Sequence, residues 1–190
     1  VSEQKEPDKS QVLKEITSGL VHPCYLFWGE DTFRLKETLK SIIDLLVPPA
    51  DRDFLLFSFD GKEVRTGEIL AALKTPPLLS GRKLVVVTDT SLLGSREDPS
   101  TDRLLDTPSP AAEAEDSQEL VDFFSKVPPE ETHLFLTART VDRRRRLYKI
   151  MAEKGRIVSF PLEKQPARQL SCLKEALRET LMRAGKEMEP

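Results

Sequence analysis

The chain has 190 residues, 32% charged and 38% hydrophobic, with a formal net charge of -3. That is enough for one sizeable domain with its own core and a small appendage. It excludes the global basic field of a dedicated nucleic-acid binder, so any such contact has to come from a local patch. The two cysteines, Cys24 and Cys172, stand far apart and fit neither a disulfide framework nor a zinc site, which favours a reducing cytoplasm. No run of about 18 apolar residues predicts a membrane span, and no signal-peptide pattern is present. The chain begins with Val1 and ends in a helical pattern at Pro190, which reads as a piece of a longer protein.

In chain order, residues 1–9 are polar. Ser10 can cap a helix that carries Val12, Leu13, Ile16 and Leu20 on one face, ended by His22-Pro23. Cys24–Trp28 reads as a buried strand. A second helix carries Phe33, Leu35, Leu39, Ile42, Ile43 and Leu46 at helical spacing and closes at Pro48-Pro49. Phe54–Gly61 reads as a second strand with a turn after it. Thr66 can cap a short helix with Ile69, Leu70 and Leu73, stopped by Thr75-Pro76-Pro77. Lys83–Asp89 is a continuous β-branched run, as expected of a strand buried on both faces.

Residues 94–117 are rich in Ser, Pro, Asp and Glu and predict a long, mobile acidic loop. A helix is expected over about Gln118–Lys126, a strand over His133–Ala138, and a helix that Asp142 can cap and Gly155 ends. Arg156–Phe160 is the last strand, and a long amphipathic helix follows from about Pro166 to Ala184. Strands alternating with helices predict a doubly wound parallel sheet flanked by helices, the α/β class. Residues 1–162 then form the α/β domain, and 163–190 begin a second, helical unit.

The stretch Tyr25-Leu26-Phe27-Trp28-Gly29 followed by a helix is how a phosphate loop begins. A working loop needs G-x-x-x-x-G-K-[ST], so that backbone N–H groups, a lysine and a hydroxyl converge on phosphate and magnesium. Here Gly29 is followed by Glu30-Asp31-Thr32-Phe33-Arg34. Two carboxylates stand where phosphate would dock; they suit the helix dipole and repel the anion. The strand ending at Asp89 also lacks an adjacent Glu to activate water. No nucleotide, metal or other cofactor is expected. The stretch alone leaves two readings open, a degenerate nucleotide loop or a plain strand-to-helix turn.

Three segments occur in order: "YLFWGEDTFRLKE", "TPPLLSGRKLVVV" and "DRRRRLYKIMAEKGRIVSF". Together, over roughly residues 20–185, they resemble the delta subunit of the bacterial DNA polymerase III clamp loader. The resemblance implies an AAA+-like domain, a degenerate P-loop fold without a usable nucleotide site, followed by the first helix of a lid domain. It implies a non-catalytic subunit of a DNA-directed DNA polymerase holoenzyme that binds and opens the sliding clamp (the beta subunit) in DNA replication. The implied partners are that clamp, the other loader subunits, and DNA in the assembled complex, with no membrane. The clamp-binding tip falls on Leu78 and Leu79, flanked by Pro77 and Ser80. Where the family often has Leu-Phe, this chain has Leu-Leu.

Each candidate has a plainer reading. Leu78 and Leu79 could anchor a turn in the core; with the resemblance, partner binding is the expectation. Arg143, Arg144, Arg145 and Arg146 oppose the dipole of the expected helix. They read first as a solvated face paired with Glu side chains and second as a contact to DNA phosphate. His22 and His133 are isolated in sequence and suggest no metal or acid–base pair. Two other classes stay open: a small α/β enzyme holding a metal through Glu30 and Asp31, and a DNA-binding module built on Arg143–Arg146.

Overall fold

Alternation within the strand segments decides which side chains face which layer of helices. The computed structural model describes residues 9–94, 110–126 and 129–162. All five expected strands form: β1 (Cys24–Trp28), β2 (Leu56–Asp60), β3 (Lys83–Thr88), β4 (Thr132–Ala138) and β5 (Arg156–Ser159). They make one sheet in the order β2-β3-β4-β1-β5. Every pairing is parallel, with Tyr25 beside Phe135 and Arg156, and Leu84 beside Leu56 and His133.

Helices cover both faces. The helices are α1 (Lys9–Thr17), α2 (Thr32–Leu46), the short α3 (Arg52–Leu55), α4 (Thr66–Lys74), α5 (Pro110–Ser125) and α6 (Arg146–Lys154). On one face Leu26, Val85, Val87, Leu134, Leu136 and Ile157 pack with Ile69 and Leu73 of α4, Leu120 and Phe124 of α5, and Leu147 and Met151 of α6. On the other, Tyr25, Phe27, Leu84, Val86, Phe135 and Val158 pack with Val12 and Ile16 of α1 and with Leu35, Leu39 and Ile42 of α2. Tyr25 and Phe135, adjacent in register, stack with ring centroids 4.5 Å apart. A parallel strand buried on both sides has to be apolar at consecutive positions, which is why β3 and β4 carry the apolar runs Leu84–Val87 and Leu134–Leu136.

Local details differ from the expectation. Phe54 and Leu55 belong to α3, so β2 begins at Leu56. Helix α4 has Arg65 at its cap position, and the Arg65 N–H donates to the Glu68 carboxylate at 2.9 Å; Thr66 is the first helical residue. Helix α5 begins at Pro110, so 110–117 is helical where loop was expected. Proline suits a first helical position, and the Ala- and Glu-rich run after it has high helix propensity with acids at the favourable end. Composition suggested a loop because that run lacks an apolar stripe. Residues 95–109, the remainder of the expected acidic loop, lie outside the described residues. The first compact unit ends at Phe160, and the helix expected over 166–184 also lies outside the described residues.

Candidate functional site

In a doubly wound sheet the natural binding crevice lies beyond the carboxyl ends of the strands, where the order reverses. Here β1 connects toward β2 on one side, and β4 connects past β1 to β5 on the other. Gly29, Thr32 and Lys36 line the crevice at that point with Thr88, Asp89, Thr137 and Arg139, and its volume is about 20 Å³. That holds about one water; a small-molecule pocket runs to roughly 300 Å³ or more.

The loop amides explain why the crevice is closed. The Gly29 N–H donates to the Ala138 carbonyl (3.1 Å) and the Asp31 N–H to the Phe160 carbonyl (3.1 Å). The Thr32 N–H donates to the Glu30 carbonyl at 2.9 Å. The Arg34 N–H donates to Asp31 Oδ1 at 3.0 Å, so the residue after Glu30 caps α2 itself. Asp31 also pairs with its own helix neighbour, Arg34 Nε, at 3.9 Å. Donors that a phosphate loop keeps free are thus taken by protein carbonyls and a carboxylate. Among the described residues no group of three or more His, Cys, Asp or Glu side chains could hold a metal ion.

The expected tip has the opposite character. Between α4 and β3 the chain runs through Pro76, Pro77, Leu78, Leu79, Ser80 and Gly81 without regular structure. Leu78 is 79% exposed and Leu79 42% exposed. Ser80 is exposed and Pro77 half-buried. The loop is fixed at both ends. Gly81 takes φ +147 against the Leu55 side chain, and Arg82 Nη2 reaches the Gly19 carbonyl at 3.4 Å. At the other end Lys83, fully buried at the start of β3, sends its ammonium to the carbonyl oxygens of Ala72 and Thr75. The same ammonium lies 4.8 Å from the centre of the Phe57 ring. Burial holds the lysine below its ordinary pKa. Apolar side chains on a rigidly mounted, protruding loop suit insertion into a partner's pocket.

A family model described as "DNA polymerase III, delta subunit" matches residues 25–161, well over half of the chain. The chain belongs to that family. A curated relative, DNA polymerase III subunit delta of Bacillus subtilis (strain 168), is 36% identical over 76 residues, which are 40% of this chain and 22% of the relative. A solved structure titled as the Bacillus subtilis DNA clamp loader delta protein shares the fold, with a TM-score of 0.69 at 23% identity. The similarity covers 90% of this chain and 47% of that one, so the chain spans about half the length of its solved relative.

In this delta-family chain only the last residue of the arginine run is helical. Helix α6 begins at Arg146, with Arg145 at the cap position. Asp142 was expected to cap that helix. Its carboxylate instead accepts the Arg144 N–H at 2.9 Å and binds the Arg144 guanidinium at 3.0 Å, closing a turn ahead of the helix. Those contacts hold the Asp142 carboxyl below its usual range. Arg143 lies over the Trp28 ring, 5.6 Å from its centre. Arg145 Nη1 donates to the Leu92 carbonyl at 3.0 Å, and Arg146 Nη1 to Gln118 Oε1 at 2.9 Å. Within the described residues the four guanidinium groups meet an aspartate, a ring, a backbone carbonyl and an amide.

Nor are the histidines isolated. His133 Nδ1 lies 2.9 Å from the His22 carbonyl oxygen. A carbonyl only accepts, so Nδ1 carries the proton and Nε2 is left as a buried lone pair. His22 Nε2 is 3.4 Å from Glu15 Oε2, which also receives Arg156 Nε at 3.0 Å, and the Tyr25 hydroxyl accepts the His22 N–H at 2.9 Å. The cluster ties α1 to β1, β4 and β5. Burial drives the His133 pKa down to about 4 and also lowers that of His22, where the Arg156 charge adds to it. The residues lie 111 positions apart, and no local pattern could have joined them.

Proposed function

We propose that this chain is the clamp-binding part of a DNA polymerase III delta subunit, inserting Leu78 and Leu79 into an apolar pocket of the sliding clamp and stabilising an open ring. The observation that carries the reading is a Leu pair, 79% and 42% exposed, on the loop where the family resemblance puts the clamp contact. Pro77 and Ser80 flank the wedge. Opening follows from differential binding: a wedge that fits the strained clamp better than the closed one shifts the population toward the open form. The chain supplies no ATP chemistry in this reading, which the occupied amides of Gly29, Asp31 and Thr32 support. ATP would act in neighbouring loader subunits, and residues 163–190 would begin the lid that leads toward them. The arginines at 143–146 serve first to hold the turn before α6, and DNA contact is secondary.

The test is binding of the chain to the sliding clamp of the same organism, beside the Leu78→Ala/Leu79→Ala double variant. Binding by the wild type, weakened by about 2 kcal/mol or more in the variant, is the expected result for an interface hot spot. A wild-type chain that does not bind at micromolar clamp overturns the reading.

A further inference from the structure

We infer that Lys83 is a positioning residue for the Leu78–Leu79 tip, and this rests on the clamp-binding reading above. A lysine at 1% exposure in a strand that otherwise holds Leu84, Val85, Val86 and Val87 is out of place as packing. A buried ammonium is costly unless its protons are taken. Here two of them go to the carbonyl oxygens of Ala72 and Thr75, and its face toward Phe57 makes a cation–π contact.

The two acceptors are what give the contact a purpose. Ala72 lies in the last turn of α4 and Thr75 caps it. Carbonyls at a helix carboxyl end have no partners within the helix, and the dipole there favours a cation. Lys83 supplies both the donors and the charge, from the far side of the loop. Its own N–H donates to the Glu131 carbonyl at 2.7 Å, which fixes its backbone to the chain entering β4. One residue therefore joins the two ends of the eight-residue connection 75–82, whose apex is Leu78 and Leu79. The connection contains two prolines and a positive-φ glycine, so once its ends are fixed few conformations remain. A loop ordered before binding loses less entropy when it docks. Lys83 makes no contact with a partner in this scheme; it acts by holding the tip in place.

The experiment compares wild type with Lys83→Met, which keeps the apolar stem, and Lys83→Arg, which keeps charge and donors. Two readouts are taken on the whole chain: amide hydrogen exchange, and affinity for the sliding clamp. In Lys83→Met the amides of residues 74, 75 and 78–82 should exchange about tenfold faster or more while those of β1 and β4 hold, as expected from losing a charged hydrogen-bond pair. Clamp affinity should fall about tenfold with it through lost preorganisation, and Lys83→Arg should restore part of both. Unchanged loop exchange overturns the inference. So does faster exchange of loop and core strands together, or loss of folding, because Lys83 would then be a general core residue. Loop loosening in a chain whose wild type never binds the clamp leaves the anchor standing and overturns the clamp reading instead. Loop loosening with unchanged affinity, in a chain that does bind, overturns the positioning role.

Discussion

The carbonyl oxygen of Phe160 occupies the space in which a side chain on Gly29 would begin, and the Phe160 nitrogen is 2.9 Å from the same point. Gly29 also has φ +143, a conformation that disfavours any residue with a Cβ. The turn from β1 to α2 is therefore closed against β5 by backbone alone, with the Phe160 N–H donating to the Trp28 carbonyl at 2.7 Å. Gly29→Ala should lower stability by about 3 kcal/mol or more, since strain and a backbone clash act together. Urea denaturation followed by the fluorescence of Trp28, the one tryptophan of the chain, measures this. A loss under about 1 kcal/mol would mean that β5 moves aside easily.

The exposed tip predicts a separation of stability from binding. Leu78→Ala/Leu79→Ala removes one largely exposed side chain and one that is 42% exposed, so unfolding free energy should fall by no more than about 1 kcal/mol, well short of a core truncation. Thermal denaturation beside the clamp titration checks both halves. A large stability loss would place the pair in the core, the plainer reading of the sequence.

Acid should weaken the protein through His133. Its folded-state pKa is pushed by burial to about 4, below the ordinary 6.5. Between these values the unfolded chain takes up the proton and the folded one does not. Stability from this group is thus fully present above pH 6.5, falls as pH drops toward about 4, and changes no further below that. The loss amounts to at most about 3 kcal/mol. His22, lowered in the same direction, adds to it. Burial pushes the Glu15 carboxyl up, but its bonds to Arg156 and Gln11 leave it lowered, so its contribution is also lost in acid. His133→Asn keeps a donor for the His22 carbonyl and should flatten the profile between pH 6.5 and 4. An unchanged slope would show that other groups control it.

The arginines should divide by role. Arg145→Ala leaves the Leu92 carbonyl without its donor and should cost about 1–2 kcal/mol of stability. Arg143→Ala should alter Trp28 emission, because the guanidinium lies over that ring. If the run instead binds duplex DNA, replacing Arg143 and Arg144 together would flatten the salt dependence of binding. Little or no DNA binding by the wild-type chain at physiological salt is the outcome the intramolecular contacts favour.

The strand segments were legible because a strand covered on both faces must be apolar at nearly every position, and Tyr25–Trp28, Leu84–Val87 and Leu134–Leu136 are. The missing glycines, lysine and hydroxyl after Gly29 were equally plain, as was the Pro-Pro-Leu-Leu-Ser-Gly break, although the exposure of its two leucines was expected only with the family resemblance. Helix α5 was half missed because Ala111 to Asp116 carry helix propensity without an apolar stripe. The arginine run was misplaced because Asp142 closes a turn with Arg144 before the helix begins.

What the sequence determined by itself is local: which segments are strands or helices, and which motif residues a loop does not carry. The strand order, with β4 set between β1 and β3, the meeting of His133 with His22, the closing of the Gly29 loop by Ala138 and Phe160, and the reach of Lys83 to the end of α4 were decided only by the tertiary structure. Periodicity reports the neighbours of a residue along the chain, whereas hydrogen-bond partners and burial depend on residues brought close by packing.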